Sequence, residues 1–319
     1  MHIYILFLIG FIILIKGADL LVSGASSIAL KFKIAPIVVG LTIVAFGTST
    51  PELAVNMFSA IEGKTDLAIG NILGSNIANI LLILGISAII FPLKAQKNTV
   101  FKEIPFALLG VIVLLLMAND MIIDGGVSNI VSRIDGLVFL GFFFVFLFYT
   151  FGISKNDENE IDEDIKEIAL WKSIIFIVIG LVGLTLGGKW IVDGAVVIAK
   201  GFGLSEAVIG LTVVAVGTSL PELATSVVAA LKKQTDIAIG NVVGSNIFNI
   251  FWILGLTATI NPLPFNGSSN IDIFMTIFAT LLLFIIMFIG KKYTIEKWQG
   301  IVMVTIYFSY IGYLVLSNI

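Results

Sequence analysis

The sequence reads GTSTPEL over residues 47–53 and GTSLPEL over residues 217–223, each in the middle of a long apolar run. Both stretches belong to one longer duplication. Residues 36–93 match residues 206–263 without a gap at a constant offset of 170, and 33 of the 58 aligned positions are identical. Shared apolar composition alone would give roughly one identity in ten. The chain therefore carries an internal repeat, and its architecture should follow from that repeat.

The composition indicates an integral membrane protein. Of the 319 residues, 58% are hydrophobic and only 12% are charged, and the mean hydropathy is +1.11. A soluble protein cannot cover its surface with so few charges. The absence of cysteine excludes disulfides and thiolate chemistry, and the single histidine, His2, argues against histidine metal clusters. No basic tract suggests nucleic acid, so the expected partner is the lipid bilayer; no cofactor and no obligate protein partner are expected.

Apolar runs of about 20 residues, separated by turn residues and charges, predict ten membrane spans and an all-α membrane protein. The first run lacks a preceding basic segment, and Lys16 follows it, so we interpret it as a retained helix and not as a cleaved signal peptide. The predicted spans are 3–29, 34–61, 67–91, 101–118, 132–152, 170–198, 205–231, 237–260, 270–290 and 298–317.

The distribution of basic residues predicts the orientation of these spans. Breaks that follow odd-numbered spans, counted with the first three residues of the next span, hold 13 of the 18 lysines and arginines, and those that follow even-numbered spans hold three. Because basic loops stay on the cytoplasmic side, the odd breaks are predicted to be cytoplasmic and both termini extracellular. The sequence thus predicts a multi-pass protein of the cell membrane.

The offset of 170 spans five predicted helices, and five is odd, so the two copies should insert with opposite orientations. The prediction is two inverted five-helix repeats, residues 1–153 and 170–319, joined by an acidic cytoplasmic linker at 154–169. Inverted repeats are typical of secondary transporters, which bind their substrates near the membrane midplane where the repeats meet. This organisation favours a transporter and not an enzyme.

Glu52 and Glu222 are the candidate functional residues. A glutamate at mid-membrane depth costs at least about 2–3 kcal/mol to insert, and it is retained only with a partner or a function. The prolines before them, Pro51 and Pro221, should kink each helix and leave carbonyl oxygens unpaired. Thr48 and Thr218 lie one turn earlier on the same face. Each copy thus offers hard oxygen ligands of the kind that suits calcium and sodium.

The helix that follows in each copy adds a polar stripe at intervals of four residues. The stripes are Asn71, Ser75 and Asn79 in the first copy, and Asn241, Ser245 and Asn249 in the second. Such residues can line an ion site or can serve only as hydrogen bonds between helices, and both interpretations stay open. GxxxG spacing at residues 70–74 and 240–244 predicts close helix approach.

Two further pairs of charges lie inside predicted spans. Lys16 and Asp19 are three residues apart in span 1, and Lys189 and Asp193 are four apart in span 6. These spacings allow local pairing along each helix, so an ion pair or snorkelling to the membrane interface is favoured over substrate binding.

On these motifs the sequence resembles the calcium/cation antiporter superfamily and, within it, the sodium/calcium exchanger family of prokaryotic type. The motifs that show the resemblance are GTSTPE at 47–52 and GNILGSNIAN at 70–79, together with their second copies. The resemblance covers essentially the whole chain. It implies ten helices with four ion sites between spans 2, 3, 7 and 8, and spans 1 and 6 that slide across this core.

The resemblance also implies roles for individual residues. Glu52 and Glu222 would be the central calcium ligands, Thr48 and Thr218 would serve calcium and sodium, and Asn79 and Asn249 would line the centre. The sodium ligands implied in this way are Ala45, Ser49 and Ser75, with their counterparts Ala215, Ser219 and Ser245.

The expected function is exchange of sodium for calcium across the cell membrane. Several relatives carry an aspartate at one of the positions of Asn79 and Asn249; here both are asparagine, which makes potassium coupling less favoured. The alternative within the superfamily is a proton/calcium antiporter. A membrane-embedded metal-dependent enzyme and a cation channel are the rivals from other classes, and the enzyme lacks a nucleophile beyond serine and threonine and a basic phosphate clamp.

Overall fold

The computed structural model describes residues 2–123, 125–153, 167–201 and 215–317, and it is mainly helical. The helices are α1 His2–Phe32, α2 Pro36–Thr48, α3 Thr50–Ile61, α4 Thr65–Ile90, α5 Thr99–Met117, α6 Asp120–Ile123, α7 Arg133–Ile153, α8 Leu170–Gly201, α9 Ala215–Thr218, α10 Leu220–Leu231, α11 Thr235–Ile260, α12 Asn270–Ile286 and α13 Lys297–Ser317. A 3-10 turn, Gly267–Ser269, precedes α12. The strands are β1 Leu93–Lys94, β2 Ile130–Val131, β3 Leu263–Pro264 and β4 Thr294–Ile295.

Eight of the described helices are long and apolar enough to cross a membrane, and the bent pair α2 and α3 makes a ninth span. All nine coincide with predicted spans to within a few residues. The predicted span 205–231 falls partly on residues outside the described ranges, and its described portion is α9 and the short apolar helix α10. The total of ten spans therefore stays a prediction, as does the linker at 154–169, of which only residues 167–169 are described.

The kink predicted from the prolines is confirmed. The axes of α2 and α3 differ by 45°, and the break lies at Ser49, just before the N-terminal turn that contains Pro51. The second copy breaks at the equivalent place, because Ser219 separates α9 from α10 with nearly the same backbone angles as Ser49. Proline is tolerated in a first helical turn, where its missing N–H would have no intrahelical acceptor.

Two helices form the buried centre of the molecule. In the most apolar part of α4 83% of the residues are buried, and in that of α11 94% are buried, whereas the other long helices reach 22–39%. The outer helices therefore present apolar side chains to lipid. Both central helices contain a π-helical segment, Ala78–Leu84 and Phe248–Leu254, at positions related by the offset of 170. Such segments are rare and frequently mark functional sites.

Helices α1 and α8 pack against each other through small residues at seven-residue spacing. The facing pairs are Gly10 with Gly187, Gly17 with Gly180, and Gly24 with Ser173. Because the sum of each pair of residue numbers is constant, the two helices run antiparallel. A Cβ at Gly17 would lie 2.8 Å from the backbone nitrogen of Leu184, so the backbones approach too closely for any larger residue.

Two short strand pairs tie the halves of the chain together. Leu93–Lys94 pairs antiparallel with Thr294–Ile295, and Ile130–Val131 pairs antiparallel with Leu263–Pro264. The first pair joins the breaks after predicted spans 3 and 9, and the second joins the breaks after spans 4 and 8. Both therefore join breaks that the charge distribution assigns to the same side of the membrane.

Candidate ion-binding site

The two predicted glutamates lie buried at the centre, each in the first turn of a helix. Glu52 is the third residue of α3 and Glu222 the third residue of α10, and each is only 1% exposed. The two carboxylates lie close enough to interact electrostatically. Neither oxygen of Glu52 has a hydrogen-bond partner in the described structure, although the Thr218 side chain lies beside it. Two acidic groups are thus brought together without a basic side chain between them.

The predicted threonines contact the polar stripe of the opposite copy. Thr48 Oγ1 donates a hydrogen bond of 3.0 Å to Asn241 Oδ1, and Thr218 Oγ1 donates one of 3.3 Å to Asn71 Oδ1. The stripe of the second copy also contacts the glutamate of its own copy, since Asn241 Nδ2 donates to the Glu222 backbone carbonyl at 3.3 Å. The site is therefore built from both copies together.

The predicted serines make the same kind of contact across the copies. Ser49 Oγ donates a hydrogen bond of 3.1 Å to Glu222 Oε1, which leaves Glu222 Oε2 without a partner among the described residues. Ser219 Oγ donates one of 3.3 Å to Ser75 Oγ. The hydroxyl of Ser245 is buried without a partner in the described part of the chain.

Four asparagines close the centre of the site. Asn79 Nδ2 donates to Asn246 Oδ1 and Asn249 Nδ2 donates to Asn76 Oδ1, both at 2.9 Å. The amide nitrogens of Asn76 and Asn246 each donate to the other residue's backbone carbonyl, at 3.4 and 3.3 Å. With their nitrogens engaged, Asn79 and Asn249 each keep an unpartnered Oδ1 within the described structure.

Asn76 and Asn246 received no role from the sequence reasoning, which followed the four-residue stripe and passed over them. The available signal was their identity in both copies, three residues before Asn79 and Asn249. Asn56 was missed as well. It is buried on α3, and its Nδ2 donates a hydrogen bond of 2.8 Å to the Glu52 backbone carbonyl.

Ala45 lies at the end of the π-helical segment Gly40–Val44, and its carbonyl accepts bonds from Ser49 N at 3.0 Å and from Thr48 Oγ1 at 3.3 Å. The counterpart Ala215 is the first described residue of α9, and its side chain lies outside the described structure. Sequence reasoning grouped both with the sodium ligands, and that role stays a prediction.

Buried oxygens without donors are the common chemical feature of this site. Within the described residues they are both Glu52 oxygens, Glu222 Oε2, Asn56 Oδ1, Asn79 Oδ1, Ser245 Oγ, Thr225 Oγ1 and Asn249 Oδ1. An unsatisfied buried polar atom costs about 1–3 kcal/mol, so such a concentration calls for a ligand. Carboxylate, amide and hydroxyl oxygens are the ligands that Ca²⁺ takes. The described residues hold no group of three or more histidine, cysteine or acidic side chains suited to a metal, and the acidic groups that they bring to this centre are Glu52 and Glu222.

A shallow recess with about 170 Å³ of empty space lies beside this centre. It is lined by Phe46, Ser49, Thr50, Leu53, Phe248, Trp252 and Ile253. Ser49 borders the recess and also donates the hydrogen bond to Glu222, so one residue separates the recess from that carboxylate.

Of the roles expected for Lys16 and Asp19, the local ion pair is not formed. Asp19 Oδ1 instead lies 2.6 Å from Lys232 Nζ, which follows α10. Lys189 and Asp193 are both exposed, and no ion pair joins them in the ranges that the structure describes. Asp19 therefore pairs with a residue of another helix and not with a neighbour on its own helix. The packing of α10 on α1 brings Lys232 close to it.

Comparisons with known proteins agree with this geometry. The family model described as "Sodium/calcium exchanger protein" matches residues 2–152 and 172–316. The sodium/calcium exchanger MaX1 of Methanosarcina acetivorans is 32% identical over 97% of both chains. The inner membrane protein YrbG of Escherichia coli is 36% identical over 81% of this chain and 79% of its own. A solved structure of the sodium-calcium exchanger NCX_Mj, soaked with Na⁺ and Ca²⁺, has a TM-score of 0.82 and 34% identity over 98% of both chains.

A family of transporters, and not a class of enzymes, is therefore indicated by the match along nearly the whole chain. With its buried acidic centre and its multi-pass apolar helices, the chain belongs to the sodium/calcium exchanger family of cation antiporters.

Proposed function

We propose that this protein exchanges sodium for calcium across the cell membrane by alternating access. The observation that carries the proposal is the meeting of Glu52 and Glu222, both buried and surrounded by oxygens without donors. Two carboxylates balance the charge of one Ca²⁺, and the same oxygens can instead serve Na⁺. Competition for shared ligands would make the exchange obligatory, because the site cannot hold a full set of both ions.

The proposed calcium ligands are the two carboxylates, with oxygen from Thr48 and Thr218, and Asn79 and Asn249 at the centre. The free Oδ1 atoms of the two asparagines support this assignment. The proposed sodium ligands are Ala45, Ser49, Ser75, Ala215, Ser219 and Ser245. No covalent step is required, since ions are bound and released by coordination alone, and no cofactor is proposed.

Sodium coupling is favoured over proton coupling by the donor set. Asn79 and Asn249 are both amides, so the centre holds no third carboxylate that could exchange a proton. Hydroxyl donors flank both glutamates in the order expected for a sodium-binding motif. A proton/calcium antiporter of the same superfamily is the alternative, and it would respond to a pH gradient in sodium-free medium.

The proposed topology has ten spans in two inverted repeats, both termini outside and the acidic linker in the cytoplasm. The strand pairs support it. The pair β1 with β4 and the pair β2 with β3 each join two loops that the charge distribution assigns to the same side of the membrane. The identical helix lengths of α3 and α10, 12 residues each, support the equivalence of the copies.

The test is uptake of radioactive calcium into sodium-loaded proteoliposomes that are diluted into sodium-free buffer. Uptake is expected only with the outward sodium gradient, and external sodium should abolish it. A matched set of vesicles without the gradient, and a set with an imposed pH gradient but no sodium, serve as controls. Uptake that ignores sodium and follows the pH gradient would replace the proposal with proton exchange; calcium flux without any counter-ion would indicate a channel.

A further inference from the structure

One side of the molecule is held by an ion pair between α1 and the turn after α10. Lys232 Nζ lies 2.6 Å from Asp19 Oδ1 and donates hydrogen bonds to Ser23 Oγ at 2.8 Å and to the Asp19 carbonyl at 3.2 Å. Next to it, Ser26 Oγ donates a bond of 2.7 Å to Gln234 Oε1. These contacts join α1 to the loop that ends the second copy's kinked helix.

The internal repeat relates this pair to a second pair with the charges exchanged. Adding 170 to Asp19 gives Lys189 on α8, and subtracting 170 from Lys232 gives Glu62 at the end of α3. Lys189 has no ion pair in the described ranges, and Glu62 lies 2.7 Å from Lys64 in its own loop. The hydrogen bond from Lys64 lowers the pKa of the Glu62 carboxyl, so Glu62 is ionised at neutral pH. A complementary pair therefore exists in sequence but is separated here.

Asp19 and Lys189 lie on two helices that are packed together as one tight pair. Helices α1 and α8 contact each other backbone to backbone at Gly17 and Gly180, where a Cβ would lie within 3 Å of the opposite chain. In that antiparallel register Asp19 is level with residue 178, eleven residues from Lys189. At 1.5 Å per residue the two charges lie about 16 Å apart along the axis. One displacement of the helix pair thus affects both ends.

The surroundings of the two kinked helices match this separation. Helix α10 packs along α1, while α3 has no comparable contact with α8. Phe58 on α3 is 67% exposed, whereas its counterpart Val228 on α10 is 8% exposed. The shallow recess that Ser49, Thr50 and Leu53 line also borders α3. The paired side is thus closely packed, and the unpaired side is more exposed.

We infer that Asp19–Lys232 and Glu62–Lys189 are alternating positioning pairs, each of which closes one side of the ion site in turn. The inference rests on the proposed alternating-access function. In the conformation seen here Asp19–Lys232 is formed; in the opposite conformation α1 and α8 shift, that pair breaks, and Lys189 pairs with Glu62. The acidic and the basic residue occupy exchanged positions in the two copies, so whichever pair is formed has no net charge.

The experiment uses single cysteines in a chain that has none of its own. Thr50→Cys places a thiol in the shallow recess, and Leu220→Cys places one at the equivalent position of the closely packed side. Each is reacted with a membrane-impermeant maleimide, added to either face of proteoliposomes, in sodium-free and calcium-free buffer. The labelling rates are then measured in the background of Asp19→Asn, Lys232→Gln, Glu62→Gln or Lys189→Gln.

Asp19→Asn and Lys232→Gln should raise the labelling rate at Leu220→Cys and lower it at Thr50→Cys, by about two- to fivefold for a partly exposed pair. Glu62→Gln and Lys189→Gln should shift both rates the opposite way. The charge swap Asp19→Lys with Lys232→Asp should restore the original rates, and Lys16→Gln, on the same helix, should change neither. A merely structural pair would not produce shifts of opposite sign.

Shifts in the same direction for Asp19→Asn and Glu62→Gln, or no shift in any variant that runs as a monodisperse peak in detergent, would overturn the inference. Labelling does not depend on which ion is transported. If the unmodified chain showed no sodium-driven calcium uptake, the proposed function would be wrong. The labelling rates would still test the two ion pairs separately.

Discussion

The helices α3 and α10 are copies of one sequence in two different environments. Both have 12 residues, begin after a serine break and carry a glutamate in the first turn. Yet α10 is packed against α1 along its length, while α3 borders the shallow recess and exposes Phe58. The chemistry of the two helices is alike, so the difference between them reports the conformation of the molecule and not a division of labour.

The site between the copies, in contrast to these two helices, has similar surroundings in both copies. Glu52 and Glu222 are equally buried, and each threonine donates to the asparagine of the other copy. The serines differ, since Ser49 donates to Glu222 and Ser219 to Ser75, but the centre is otherwise alike in both copies while the flanks are not. This division suits an exchanger, because the ligands must stay while access to them changes sides. The predictions that follow test this division, from the centre outward.

The largest effect is expected at the centre. Glu52→Gln and Glu222→Gln each remove one of two charges that balance Ca²⁺, and each should reduce calcium exchange at least about a hundredfold. The measurement is sodium-driven calcium uptake in proteoliposomes with matched protein content. If one variant retained normal exchange while the other lost it, the centre would not be symmetric and the site assignment would fail.

The next effect is expected in the contact between α1 and α8. Gly17→Ala and its counterpart Gly187→Ala place a Cβ within 3 Å of backbone atoms of the opposite helix, so each should destabilise the protein by about 1–3 kcal/mol. Thermal unfolding in detergent measures this. Gly141→Ala is the matched control, since no described atom lies within 4 Å of a Cβ there. Equal stability of Gly17→Ala and the control would show that the helix pair is not a tight body.

A smaller effect is expected from the asparagines that support the centre. Asn76→Ala frees the amide of Asn249, and Asn246→Ala frees that of Asn79, so each should weaken calcium binding by about 1 kcal/mol, roughly fivefold. Calorimetric titration with calcium in detergent gives the affinities. Because the support crosses between the copies, the two variants should be alike. A large loss in only one of them would show that one copy dominates binding.

The smallest effect is expected in the turns after α3 and α10. Gly63 and Lys233 occupy equivalent positions with φ of 74° and 60°, a region that favours glycine. Gly63→Ala should therefore destabilise the protein by about 1 kcal/mol, and Lys233→Gly should be neutral or slightly stabilising. Chemical or thermal unfolding in detergent distinguishes the two. A gain in stability from Gly63→Ala would contradict the equivalence of the turns.

Sequence reasoning predicted the helices and most of the candidate site because both depend on local signals. Apolar length located the spans, Pro51 located the bend, and the repetition of Glu52 at Glu222 identified the centre. The contacts across the copies could not be obtained in this way. One example is the hydrogen bond from Ser49 to Glu222, and another is the pairing of Asp19 with Lys232. Both depend on how the helices pack, and spacing along one helix carries no such information.

The strand pair of Leu93–Lys94 with Thr294–Ile295 has a consequence for how the protein is made. The first strand emerges about 200 residues before its partner, an interval of roughly 10–40 s at the rates of chain synthesis. The hydrogen bond from Thr48 to Asn241, 193 residues apart, waits nearly as long. The first five helices thus enter the bilayer with an acidic centre that lacks its complement. The hydrogen bonds of the centre can therefore form only after the second half of the chain has been made.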